Sequence, residues 1–144
     1  MEENSVAVRI AQSNEIERII AAYRGWGYGG GVERTDTVRL AESEGELIGV
    51  VRVALESGTL VLRGMRIAEQ WQRRGIGTRM LKTVAEWLGD RQCYCVPYSH
   101  LTGFYGQIGF VEIPPSTVPS FLALRLAEYR HRSLDVVMMQ RSAS

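Results

Sequence analysis

The chain is poor in lysine, histidine, cysteine and proline. Lys82 is the only lysine among 17 basic residues, which face 16 acidic ones and leave a formal charge of +1. So neutral a chain has no electrostatic means of coating a polyanion, and no nucleic-acid partner is expected. The two histidines, His100 and His131, lie far apart with no liganding neighbour at a useful offset, so no metal site is expected. Two cysteines, Cys93 and Cys95, are too few for a disulfide framework. Strand alternation in CYCVP points both thiols to one face, which disfavours a mutual bond, and they read as reduced core residues. No apolar run reaches membrane-spanning length, and the acidic start MEENSVAVRIAQ lacks the apolar stretch of a signal peptide. A cytoplasmic protein with no membrane partner is expected.

What is present suits one compact domain over residues 1–144. Hydrophobic residues make up 45% and charged ones 23%, enough for a single core. Val6 to Ala11 alternates as a strand. In SNEIERIIAAY, Asn14 and Glu17 have capping-box spacing, and Ile16, Ile19, Ile20 and Tyr23 fall on one helical face. Thr37 to Glu42 and Leu47 to Leu55 flank the turn SEGE, and Gly58 marks a second turn before the strand Thr59 to Ile67. Three consecutive antiparallel strands are predicted. A helix follows over Gly75 to Leu88, with Ile76, Met80, Leu81, Val84, Ala85 and Leu88 on its apolar face. Cys93 to Val96 reads as a strand, Leu101 to Ile108 as a short helix and Phe110 to Ile113 as a strand. SFLALRLAEYR reads as a helix held by Leu122, Leu126 and Tyr129, and LDVVMMQ as the last strand. The class is α/β with a strand-helix-strand crossover in the middle.

Residues 70–81, QWQRRGIGTRML, place two glycines and three arginines at the start of an amphipathic helix. Glycine there costs about 0.5–1 kcal/mol relative to alanine, so Gly75 and Gly77 need a reason. Removing Cβ lets another group approach the backbone, and the first amides of a helix, unbonded and at its positive end, favour an anion. Gln72, Arg73 and Arg74 add donors beside them. Charge-assisted hydrogen bonds contribute roughly 1.5–3 kcal/mol each, more than the glycines cost, so phosphate is the expected ligand. A P-loop is excluded because no Gly-Lys-Ser/Thr ending follows. A dinucleotide fingerprint is excluded because Met80 stands where its third glycine belongs. Gly25, Gly27 and Gly30 match the dinucleotide pattern literally, but they follow a helix and lead into none. That segment reads as a mobile connection or as the cover of a substrate site with Trp26 and Tyr28 as walls.

MRIAEQWQRRGIGTRMLKTVAEWL resembles the acyl-coenzyme A binding motif of the GNAT N-acetyltransferase superfamily, Gln/Arg-x-x-Gly-x-Gly/Ala, at Gln72, Gly75 and Gly77. LTGFYGQIGFVEI is similar to the family's later Phe-Tyr and Gly-Phe motif, at Phe104, Tyr105, Gly109 and Phe110. The resemblance implies the GNAT fold, a mixed, mostly antiparallel central sheet of about six or seven strands flanked by helices and splayed at the acetyl-CoA site. It also implies that acetyl-CoA is the co-substrate. Its pyrophosphate would lie over the amides of Gln72, Arg73, Arg74, Gly75, Ile76, Gly77 and Thr78, and its pantetheine arm would pair with the backbone of Met65, Arg66 and Ile67. Relatives often pair as homodimers.

The expected reaction is transfer of the acetyl group to a primary amine of a small molecule or peptide, by direct attack in a ternary complex. Tyr105 is the expected general acid, since a phenol near pKa 10 stays protonated at neutral pH and can donate to the departing thiolate. Many relatives carry a glutamate on the strand before the motif, whereas LVLRGMRI has Arg63 and Arg66 and no acid. Either waters remove the amine proton, or Glu33, Asp36 or Glu42 reaches the site, or the amine enters neutral. Arg63 and Arg66 differ in strand parity and are expected on opposite faces of the sheet, where one reads a substrate carboxylate or both meet solvent or a salt bridge. Arg63 is taken with Trp26 and Tyr28 as a substrate residue. His100 is read as a proton relay or a helix-capping residue, and Ser99 as a helix cap. The missing acid leaves an alternative, a catalytically weak module that senses acyl-CoA.

Overall fold

The computed structural model describes residues 5–142, which divide into two compact units, the first ending at Trp87 and the second beginning at Leu88. In the first unit the elements are β1 (Val6–Ile10), α1 (Ile16–Gly25), β2 (Thr37–Ser43), β3 (Glu46–Glu56), β4 (Thr59–Ile67) and α2 (Ile76–Leu88). The four strands pair in chain order, each antiparallel to the next. Two-residue turns fix the register: Ser43 faces Glu46 around Glu44-Gly45, and Glu56 faces Thr59 around Ser57-Gly58. All four turn residues have positive φ, the conformation whose twist matches the flanking strands.

The two faces of these strands carry different helices. Val38, Leu40 and Val50 pack with Ile19 and Tyr23 of α1. On the other face Gly49 admits α2, since a Cβ there would lie 2.8 Å from Ile67 Cδ1 and 3.1 Å from Met80 Sδ. Ile76, Met80, Leu81, Val84 and Leu88 are buried along the expected stripe. Each such side chain contributes roughly 1.5–3 kcal/mol, which outweighs two weak helix formers at the start of α2.

The cap before α1 differs from expectation. The reciprocal cap before α1 is made by Glu15, which accepts the Gln12 amide at 2.9 Å, and not by Asn14 with Glu17. A short 3-10 turn at Ser13–Glu15 moves the start of the helix, and Glu15 also takes a bidentate pair from Arg9 at 2.8 and 2.7 Å. Arg9 and Arg18 each bridge Glu15 and Glu42.

The second unit contains β5 (Cys93–Cys95), α3 (Thr102–Gly106), β6 (Phe110–Glu112), α4 (Ser120–His131) and β7 (Met139–Arg141). Strand β7 lies between β5 and β6 and is antiparallel to both. The last strand is shorter than LDVVMMQ suggests because the Val136 amide turns back to Leu134 and the Val137 amide bonds to Pro97. Leu122 and Leu126 of α4 are buried, as are both cysteines, which are not joined in a disulfide. Burial raises the Cys95 thiol well above its ordinary pKa, so it stays protonated and inert.

The Arg9 hydrogen bond is the main reason the Glu15 carboxyl is held down to about 2 from an ordinary 4.5, and Arg9 likewise lowers Glu42. A depressed carboxyl stabilises the fold fully above its unfolded pKa and loses that contribution as pH falls through the folded one. The thermal midpoint should therefore drop between pH 4.5 and about 2. Glu15→Gln should lower the midpoint at pH 7 and flatten the acid slope; an unchanged slope in calorimetric scans would remove Glu15 from the linkage.

Candidate active site

Strand β4 contains one more residue than its partner between two points of the ladder. Val50 faces Arg66 and Arg52 faces Arg63, so two steps along β3 correspond to three along β4. The extra residue lies at Gly64-Met65, and Gly64 takes a left-handed φ of 67°, as glycines in bulges do. Tyr23 of α1 donates its hydroxyl to the Gly64 carbonyl at 2.8 Å. No side chain fits at Gly64, because a Cβ would come within 2.4 Å of that hydroxyl. Burial pushes the Tyr23 phenol well above its ordinary range, so it remains a donor at every physiological pH. The bulge is thus locked from the α1 side.

Beyond β4 the chain turns sharply. The Ala68 amide returns to Ile48 at 2.8 Å, a 3-10 turn spans Glu69–Trp71, and Gln72 Nε2 donates to the Ile67 carbonyl at 3.0 Å. Arg73 and Gly75 then take φ of 63° and 80°, with Arg74 between them stacked 4.9 Å over the Trp71 ring. Alternation of hand curls a main chain so that successive amides face a common point, the geometry of an anion nest. The first helical bond of α2 runs from the Arg79 amide to the Gly75 carbonyl at 3.1 Å, so the amides of Ile76, Gly77 and Thr78 precede it and face out of the helix's positive end. A Cβ on Gly75 meets nothing within 4 Å, so its conformation and not its space requires glycine.

The bulge overturns the parity expected for the two arginines. Arg63 faces Arg52 and Arg66 faces Val50 across an antiparallel ladder, and residues 50 and 52 share the α1 face, so Arg63 and Arg66 lie on the same face. One inserted residue shifts the alternation. Arg63 sits 3.6 Å from Glu56. Arg66 lies with its guanidinium 4.6 Å from the Tyr28 ring centroid and donates to the Met65 carbonyl at 2.9 Å.

Beneath them is an ion pair the sequence reading missed. Arg52, 1% exposed, contacts Asp36 at 3.0 Å, and its Nη2 donates to the Tyr28 hydroxyl at 3.1 Å. Burial opposes the Arg52 charge, but Tyr28, Tyr23 and Asp36 outweigh it and raise its pKa. A lone arginine inside LIGVVRVALE was the available signal, since a charge in so apolar a strand needs a buried partner. Trp26 and Tyr28 are half-buried against Tyr23, with ring centroids 6.4 and 4.6 Å away, which ties that part of the glycine-rich segment to the core. Asp36 is committed to Arg52 and the Glu33 amide, and Glu42 to Arg9 and Arg18, which leaves neither placed as a base.

In the second unit Tyr105 is 6% exposed on α3, edge-on to Phe104 and Phe110 at 5.0 and 6.2 Å. Gly109, at a φ of 96°, makes the turn into β6 that the Gly-Phe pair requires. His100 stacks on Tyr98 at 5.9 Å, and Ser99 donates to Asp135 at 2.6 Å instead of capping the short helix. Among the described residues no group of three or more potential ligands is placed to hold a metal, and no helix is long and apolar enough to cross a membrane.

A nest of amides at a helix start, directly after a bulged antiparallel strand, has the geometry that can hold a phosphate group. The sequence profile described as "Acetyltransferase (GNAT) domain" matches residues 34–112, more than half of the chain, and the chain belongs to that family. No curated protein sequence gives a significant match. Among solved structures, Rv2747 from Mycobacterium tuberculosis in complex with CoA aligns with a TM-score of 0.71 at 17% identity, over 94% of this chain and 98% of that one. A GNAT-family acetyltransferase from Streptococcus pneumoniae aligns at 0.71 and 13% identity, over 96% and 99%. N-acetylglutamate synthase from Neisseria gonorrhoeae, complexed with coenzyme A and N-acetyl-glutamate, aligns at 0.67 and 17% identity, over 96% of this chain and 35% of that one. This chain spans about a third of the length of the synthase. At these identities the likeness establishes the fold, an α/β GNAT acetyltransferase domain.

The Tyr23 and Gly64 contact predicts a coupled pair. Tyr23→Phe should cost about 1–3 kcal/mol in denaturant unfolding by leaving a buried carbonyl unmet. Gly64→Ala should cost more, and adding Tyr23→Phe to it should cost less than the sum because the clashing hydroxyl is gone. Strict additivity in the double-mutant cycle would contradict the lock.

Proposed function

We propose that the protein transfers the acetyl group of acetyl-CoA to an amine of a small molecule or peptide by direct attack in a ternary complex. The observation that carries this reading is the turn from Gln72 to Thr78, where two left-handed residues and the open end of α2 gather main-chain donors. Relatives of the same fold in complex with coenzyme A support it. The diphosphate rests on these amides, Arg73 and Arg74 add charge, and the arm runs along Met65, Arg66 and Ile67 at the end of β4 that follows the bulge.

The amine lone pair attacks the thioester carbon, the carbon–sulfur bond breaks, and Tyr105 donates its proton to the leaving thiolate. With Asp36 and Glu42 held in ion pairs, the surplus amine proton leaves to water, from which the phenolate recovers its own. The absence of an acid on β4 is the one observation favouring the second reading, a CoA-binding module with little turnover.

Tyr105→Phe should lower kcat by about 100-fold or more while the CoA dissociation constant stays within a few-fold. Unchanged turnover would remove Tyr105 from the mechanism. Tight CoA binding with no thiol release for any amine would select the sensor. Gly75→Ala forces a left-handed alanine at about 1–2 kcal/mol, so CoA should bind roughly tenfold more weakly by calorimetry. Undiminished affinity would detach the nest from ligand binding.

A further inference from the structure

The arginines on the α1 face of the first unit are nearly all matched. Arg9 and Arg18 share Glu15 and Glu42, Arg52 holds Asp36, and Arg63 meets Glu56. Among those that are not exposed, Arg66 is the exception: among the described residues no carboxylate lies within ion-pair distance of its guanidinium. It is nevertheless held in place, stacked on Tyr28 and tethered through Nη1 to the Met65 carbonyl. Tyr28 is in turn fixed by Arg52 and by Tyr23, whose own hydroxyl locks the bulge that turns Arg66 to this face. A solvated surface arginine has no such support. With Nη1 engaged, the Nε and Nη2 donors form a fixed planar fork, and a fork of that shape matches the two oxygens of a carboxylate.

Arg66 also lies within the strand segment assigned to the acyl donor's arm, so an anion gripped there sits beside the acyl-bearing end of the site. We infer that the acceptor is an amine that also carries a carboxylate, and that the Arg66 side chain binds this carboxylate while the Arg66 main chain serves the donor. The inference rests on the acetyl-transfer reading and narrows its acceptor to amino acids or chain ends with a free carboxylate near the amine. Arg66 is then the residue that sets specificity, and Arg63, neutralised by Glu56, is not.

The test uses the full-length protein and matched acceptor pairs, free α-amino acids against their carboxamides, with thiol release as the readout. The wild type should favour the acid at least about tenfold in kcat/KM. Arg66→Met should abolish that preference through KM for the acid, and Arg66→Lys should restore part of it. CoA affinity, measured on each variant, reveals any collapse of the fold. Equal use of acid and amide by the wild type, or a preference that survives Arg66→Met, overturns the inference. If no amine yields thiol release although CoA binds, acetyl transfer fails first. Calorimetric titration of the CoA-loaded protein with N-acetyl amino acids and their amides then decides the carboxylate site. Discrimination lost in Arg66→Met supports it, and none in the wild type rejects it.

Discussion

The hydrogen bond from Tyr23 to the Gly64 carbonyl is the constraint on which the rest of the first unit depends. Pulling that carbonyl toward α1 removes it from the ladder, and the left-handed glycine that results inserts one residue into β4. Everything after the insertion is rephased: Arg66 joins the α1 face, and Ile67 ends the strand against Gly49 and Met80. Without the bulge β4 would continue regular pairing, and its end would present a different set of side chains to whatever lies beside it.

Charge on the α1 face of this unit is largely paired. The Arg52 and Asp36 pair is buried at 1% exposure on both sides, and removing one member of such a pair costs about 3–5 kcal/mol because the other remains uncompensated. The half-exposed Arg9, Arg18, Glu15 and Glu42 network is worth less individually, but it sets the entry of α1 and so the position of Tyr23. The same economy occupies two of the candidate bases. Asp36 and Glu42 are engaged structurally, and the hydrogen bond from Arg9 lowers the Glu42 pKa, which makes that carboxylate a poor proton acceptor.

Much of this was legible in the sequence for physical reasons. Both hairpins follow from glycine at positions that need positive φ, and α2 follows from a 3.6-residue apolar period. The misplacement of the two arginines has a plain cause: period-2 reasoning assumes a regular strand. Gly64 inside LVLRGMRI was the sign of a bulge, and reading it as ordinary strand placed Arg63 and Arg66 on opposite faces. The partners of Arg52 lie 16 and 24 residues away in a loop without periodic signal, so no local pattern announces them. The position of the capping box shifted because a 3-10 turn precedes α1, and such turns leave no distinct hydrophobic pattern.

The account's central claim is that main-chain amides at the start of α2, next to the bulged strand, hold the diphosphate of coenzyme A. Backbone amide resonances followed during titration with CoA test it most directly. The account predicts that Ile76, Gly77 and Thr78 show the largest shifts together with Met65 to Ile67, and that pantetheine lacking the diphosphate moves only the strand set. Saturable binding that leaves Ile76 to Thr78 unperturbed would contradict it.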